Sequence, residues 1–261
     1  MAFPDTLSLA GKVAIITGSS RETGIGAGIA FALARNGARV TINHVADASA
    51  SRAAGVAQQI LDEGGDAAVI QADVTTVEGA RKLVDGTLAA FGVDHVDIVV
   101  NNAAAGTPHS ALQATRTSLD AIFSSIVYAP LFVLQAAIPH MPRGGRVINI
   151  GSIASKLGMA PVAVYGSAKA ALDALTYSMA MELGRQHGVT VNTVAPGPVA
   201  TGALPKEQAE KIDSMLVPMT RAEMRVGTTA DIADAVLLLV SEKSRWITGQ
   251  VVSVSGGITG G

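Results

Sequence analysis

Seven short runs rich in β-branched and apolar residues punctuate the chain, each followed by a longer stretch whose apolar positions recur at helical spacing. VAIIT (13–17) leads into a helix ending at Arg35, RVTIN (39–43) into one over 48–63, and DAAVIQADV (66–74) into one over 77–91. DIVVNN (97–102) precedes a long helix around 118–140, RVINIGS (146–152) a helix over about 163–187, VTVNTVAP (189–196) a helix over 229–240, and QVVSVSGG (250–257) closes the series. The strands are continuous apolar runs, as expected of strands buried on both faces. Such alternation predicts the α/β class: one domain over 1–261, a doubly wound parallel sheet of about seven strands with helices on both faces.

The least regular stretch is 198–228, where Pro198, Pro205 and Pro218 break any long helix. Ala203, Leu204, Met215, Leu216, Val217 and Met219 give this charged insert an apolar face. Because it follows the carboxyl end of a strand, where such sheets bind ligands, it is expected to form a lid over an apolar substrate.

Composition narrows the function classes. Apolar residues make up 49% of the 261 and charged ones 15%, so most of the polypeptide must be buried in a core or at subunit contacts. A net charge of −2 with scattered Lys and Arg supplies no basic stripe for nucleic acid. The chain has no cysteine, which removes disulfides, thiolate metal sites and a cysteine nucleophile. His44, His95, His109, His140 and His187 are dispersed rather than spaced as ligands, so no metal site is expected. MAFPDTLSLAGK, with Pro4 and Asp5, reads as neither a secretory signal nor a membrane span, and a soluble cytoplasmic protein is expected.

Candidate chemistry begins at GSSRETGIG. A glycine-rich turn between VAIIT and IAFALARNGA turns backbone N–H groups and a positive helix end toward a pyrophosphate. The second strand ends at Asn43 or His44 with no acid to hold a ribose 2′-hydroxyl, while Arg21 and Arg39 are candidates for a 2′-phosphate, which favours NADP(H). Tyr165 and Lys169 stand four residues apart and share a helix face, and Ser152 lies at the end of the fifth strand. A phenol titrates near pH 10, and an adjacent ammonium is expected to lower that value, making a proton donor.

TG(x5)GIGAGIA, Asp73 in QADV, NNAAAG, Ser152 with YGSAK, VNTVAPGPVAT and WITGQVVSVSGG resemble, in order and spacing, the motifs of the short-chain dehydrogenase/reductase family over nearly the whole chain. Within it the resemblance runs to NADPH-dependent ketoreductases of the 3-oxoacyl-carrier-protein reductase and fungal polyhydroxynaphthalene reductase type. It implies a Rossmann-like fold, Tyr165 as general acid, Lys169 lowering its pKa and holding the nicotinamide ribose, and Ser152 orienting the carbonyl. It implies a cofactor cradle of Gly18, Gly24, Ile25 and Gly26, with Asp73 and Val74 at the adenine and Asn102 along the cofactor. Pro196, Gly197, Val199 and Thr201 would border the carboxamide. Homodimers or homotetramers built on the helices around 118–140 and 163–187 and the last strand are also implied.

Three departures stand out. Ile126 falls where the family usually carries an Asn of a water-mediated proton relay; a backbone carbonyl, Ser124 or Ser125 could substitute, or proton resupply is impaired. The opening loop is two residues longer than TGxxxGIG, as in the superfamily's enoyl reductases, although those space Tyr and Lys more widely than here. Ala104 replaces a usual Gly. The expected activity is hydride transfer from NADPH to the ketone of an apolar metabolite, possible polyketide chemistry included. The alternatives are an enoyl reductase or a cofactor-bound catalyst of cyclisation, epimerisation or dehydration.

Overall fold

The computed structural model describes residues 6–105 and 110–260; Pro4, Asp5, Gly106 and His109 lie outside the described residues. Seven strands form one parallel sheet in the order β3-β2-β1-β4-β5-β6-β7. They are β1 (Val13–Ile16), β2 (Arg39–His44), β3 (Asp66–Gln71), β4 (Ile98–Asn101), β5 (Arg146–Ile150), β6 (Thr190–Pro196) and β7 (Val251–Val254). β1, β4, β5 and β6 are buried along their whole lengths, because helices cover both faces and no side of the strand meets water.

The helices are α1 (Ile25–Arg35), α2 (Ala50–Asp62), α3 (Val77–Phe91), α4 (Arg116–Phe123), α5 (Ala129–Ala137), α6 (Ala154–Leu157), α7 (Ala163–His187), α8 (Lys206–Leu216) and α9 (Thr229–Val240). One apolar core lies between the sheet and α1, α2 and α9, built on Ile16, Ile29, Leu33, Ile42, Ile148 and Val236. A second, with Ile15, Leu83, Val99, Val133, Val147 and Leu183, fills the other face under α3, α5 and α7.

α3, α7 and α9 keep the bounds their sequence predicts, and two of them start where a threonine stops the preceding extended chain. Thr76 and Thr228 accept hydrogen bonds from the Gly79 and Asp231 amides, and Asp231 reciprocates to the Thr228 amide. The helix expected around 118–140 is instead interrupted. A π turn over Ser124–Tyr128 separates α4 from α5, and a 3₁₀ turn follows at Ile138–His140. By length and composition alone Arg116–His140 could cross a membrane; in the fold this stretch packs on α3 and α7. Tyr128, and Tyr177 and Met181 of α7, keep an exposed outer side.

The order of the sheet reverses between β1 and β4, opening a crevice at their carboxyl ends. Gly18, just past β1, has φ +62, and a Cβ there would stand 2.8 Å from the Ala103 Cα past β4. Only glycine lets those two loops meet.

Candidate active site

Except for Arg39, the sequence-selected positions gather along this carboxyl edge. Gly18, Gly24, Ile25 and Gly26 run from β1 into α1, Asn43 and His44 end β2, Asp73 and Val74 follow β3, and Asn102 follows β4. Ser152 follows β5, Pro196 and Gly197 end and follow β6, and Tyr165 and Lys169 lie in α7.

The start of α1 tests whether these residues suit a dinucleotide. Gly24 caps the helix, no side chain bonds to its first amides, and no acid lies in its first turn. The free N–H groups and the positive helix end therefore face the crevice, which suits a pyrophosphate. Gly26 keeps the chain close: a Cβ would lie 2.5 Å from Asn102 Nδ2 and 3.0 Å from the Gly18 oxygen. Asn102 Nδ2 donates to the Thr17 and Gly18 carbonyls at 2.9 and 3.0 Å, while Thr17 Oγ1 accepts from the Asn102 and Ala103 amides. Asn102 thus shapes the cradle by bracing it. Asp73 is exposed, with Oδ1 accepting from the Thr75 amide and hydroxyl, and Val74 is buried beside it.

The adenosine end departs from expectation. Asn43 Oδ1 accepts from the Gly18 amide at 3.1 Å, and its Nδ2 donates to the Ile70 and Ala72 carbonyls at 3.3 and 3.1 Å. His44 is buried, with Nδ1 beside the Ala46 carbonyl and the Ser49 hydroxyl. Both are struts between strands, and their side chains are taken. Arg39 lies at the opposite end of β2, about 16 Å away at 3.3 Å per residue, where it donates to the Phe91 carbonyl and covers its ring. A 2′-phosphate at the ligand edge is out of its reach.

Arg21 also turns elsewhere. Its guanidinium donates to the Gly202 carbonyl at 2.8 Å, and Thr23 donates to the Thr201 carbonyl at 2.8 Å. The extra length of the opening loop therefore reaches across the crevice to the segment after β6. That segment leaves β6 at Gly197, whose amide donates to the Val254 carbonyl, and Val199 bridges to Gly227. It is more regular than its prolines suggest, since Pro205 caps the eleven-residue α8 and Pro218 lies just past its end. Leu216 packs under Ile153 and Ile258 beside Ser152, while Leu204, Met215 and Met219 stay exposed.

Ser152 is hydrogen-bonded to Tyr165, and its Oγ also accepts from the Ala154 amide. Lys169 is 3% exposed, donates from Nζ to the Ile150 carbonyl at 2.5 Å, and lies 5.6 Å from the Tyr165 ring centroid. Burial lowers its pKa to about 8, against an opposing pull from Asp173. The phenol does not show the depression expected from its neighbour. Burial pushes Tyr165 up from its ordinary value and the Ser152 hydrogen bond draws it part of the way back. The reason is placement: the ammonium is hydrogen-bonded to a strand carbonyl under the ring.

Ile126 is buried at 1% exposure in the π turn, among Ile122, Val164, Ala168 and Leu172. Ser125 does not stand in for an amide there, because its hydroxyl is engaged by the Ala105 backbone and the Ile122 carbonyl. Thr17 and Thr23 were not selected from the sequence. The partners cited for them lie 85 or more residues away, and a lone hydroxyl carries no periodic signal.

The fold and the edge define a dinucleotide-binding oxidoreductase, and the chain belongs to the short-chain dehydrogenase/reductase family. The family model described as "Enoyl-(Acyl carrier protein) reductase" matches residues 18–259. The chain is 39% identical over 256 residues to the short-chain dehydrogenase/reductase FrzI of Cladobotryum sp, covering 96% of this chain and 97% of that one. It is 36% identical over 267 residues to a hydroxynaphthalene reductase-like protein of Metarhizium acridum, covering 96% of each. Among solved structures, the angucycline C-6 ketoreductase LanV with bound NADP superposes with a TM-score of 0.87 at 33% identity, covering 96% of both chains. NADP(H) is the cofactor of that relative, and the α1 cradle is of the kind that takes it.

Proposed function

We propose that this protein is a single-domain NADPH-dependent ketoreductase acting on the ketone of an apolar, polyketide-type metabolite. The observation that carries the reading is the convergence of Ser152, Tyr165 and Lys169 on the same carboxyl edge of the sheet as the start of α1, whose first amides no side chain caps. The relatives described as hydroxynaphthalene reductase-like and as an angucycline ketoreductase support the substrate class.

When bound, the reduced nicotinamide supplies the hydride. Ser152 and Tyr165 hold the carbonyl oxygen by hydrogen bonds, and Tyr165 gives its proton to that oxygen as negative charge develops on it. A phenol raised by burial keeps its proton until then, as reduction requires. Lys169, charged below about pH 8, stabilises the phenolate left behind. Residues 198–228 serve as the lid, with Leu204, Met215 and Met219 as the apolar surface offered to substrate. Arg21 and Thr23 tie its base to the cofactor loop.

Enoyl reduction is the second reading, raised by the family model's description and the long first loop. The one-turn spacing of Tyr165 and Lys169 favours the carbonyl reaction. The test is Tyr165→Phe with NADPH oxidation followed against product. Ketone turnover is expected to fall by at least about 100-fold, with NADPH still bound and wild-type protein consuming one NADPH per alcohol formed. Normal turnover by Tyr165→Phe sinks the assignment of the tyrosine, and product without NADPH consumption identifies a non-redox catalyst.

A further inference from the structure

Two incompletely satisfied groups of opposite charge lie one turn apart on α7. Lys169 is almost wholly buried, bonds to the Ile150 carbonyl, and forms no ion pair among the described residues. Asp173 Oδ1 is buried and has no hydrogen-bond partner among the described residues. A buried carboxylate oxygen left bare costs about 1–3 kcal/mol or more, so its retention calls for a reason.

Both groups face the carboxyl end of β5. The carbonyl that holds Lys169 is that of Ile150, and the next residue is Gly151, where a Cβ would stand 3.3 Å from Asp173 Oδ1 and 2.5 Å from Thr193 Cγ2. The missing side chain at Gly151 is what gives the carboxylate its place at the strand end. Ile126, at the position where the family pattern puts an amide, packs instead in an apolar cluster with Ile122, Ala168 and Leu172, neighbours of Lys169 on α7 and α4.

We propose that Asp173 is a positioning residue, the half-buried counter-charge that keeps Lys169 protonated and seated against the Ile150 carbonyl in the absence of an amide at position 126. It rests on the reading of Tyr165 and Lys169 as the proton-donating pair. The charge balance around Lys169 agrees: burial lowers its pKa and Asp173 is the group that raises it. The other groups facing the pair are few. Tyr165 shares the helix, Lys156 of α6 attracts Asp173, and Ser155 lies beside the carboxylate. β5 and β6 present Ile150 and Thr193.

With Lys169 near pH 8, its charge has little reserve. Removing an adjacent negative charge lowers an ammonium pKa further, by about one unit at the lower end of such effects. The charged fraction at pH 8 then drops from about one half to about one tenth, while at pH 6 it stays near one.

Asp173→Asn is therefore expected to lower kcat for ketone reduction about 5-fold at pH 8 and less than about 2-fold at pH 6. NADPH affinity, read by nicotinamide fluorescence, should weaken at pH 8 and hold at pH 6. Asp173→Ser, smaller and neutral, should repeat both effects should the Asn variant not fold, and Asp173→Glu should restore most of the loss at pH 8. Equal losses at the two pH values mean a structural role and overturn the proposal, as does an unchanged profile. Tyr165→Phe separates the two failures. If it is inactive while Asp173→Asn leaves both profiles unchanged, only the counter-charge is wrong. If it turns over normally, the proton-donor reading is wrong, and the pH dependence of NADPH binding still decides the role of Asp173.

Discussion

Restoring the family's amide by Ile126→Asn should cost stability. Ile126 is 1% exposed and packed on Ile122, Val164, Ala168 and Leu172. Losing a fully buried isoleucine side chain removes about 1.5–3 kcal/mol of hydrophobic stabilisation. An amide in its place meets an apolar cluster, and a polar group buried without a partner adds about 1–3 kcal/mol. The total of about 2.5–6 kcal/mol compares with a whole-domain stability of about 5–15 kcal/mol. For a chain of this size each kcal/mol moves Tm by about 2–4 °C, so thermal unfolding followed by circular dichroism should show a fall of about 10 °C. Ile126→Val is the control for the lost methyl alone, at about 0.5–1.5 kcal/mol. An Asn variant as stable as the Val variant would refute the reasoning, because the amide would then have found partners in a site suited to it.

Arg21→Ala combined with Thr23→Val should weaken NADPH and NADH binding by similar factors, since both side chains hold the lid base at Gly202 and Thr201. Trypsin should also cut faster at Lys206 and Lys211 of the exposed α8; a loss confined to NADPH would return Arg21 to the 2′-phosphate. Lys169→Met should abolish turnover yet raise Tm at pH 7. The lysine's folded pKa of about 8 lies below its ordinary 10.5, so the unfolded chain binds the extra proton between those values and stability rises with pH across that window. The Met variant escapes that penalty, and its Tm advantage over wild type should shrink from pH 8 to 10. A constant advantage would show that the charge is not the cause.

The sheet was legible because its signals are local. Apolar runs such as VAII and RVINI are strands buried on both faces, and apolar positions at helical spacing over 77–91 and 229–240 give α3 and α9. The interrupted helix was not legible. DAIFSSIVYAPLFV keeps helical periodicity straight through the π turn, so only packing on α3 and α7 selects the extra residue per turn. α8 was hidden by prolines that read as breakers, though one at a helix entrance and one past its exit leave eleven residues free to coil.

The sequence alone determined the alternation of strands and helices along the chain, the family and the choice of Ser152, Tyr165 and Lys169 as candidates, because residue type, motif order and helix spacing are local pattern. Tertiary structure alone decided what those residues touch. It turned Arg21 toward a carbonyl 181 positions away, made Asn43 a strut, laid Arg39 over the Phe91 ring, raised the Tyr165 phenol by burial and left Asp173 Oδ1 without a partner beside Gly151. Each of these depends on desolvation and on hydrogen bonds between segments remote in the chain, quantities that exist only once the sheet has brought its ends together.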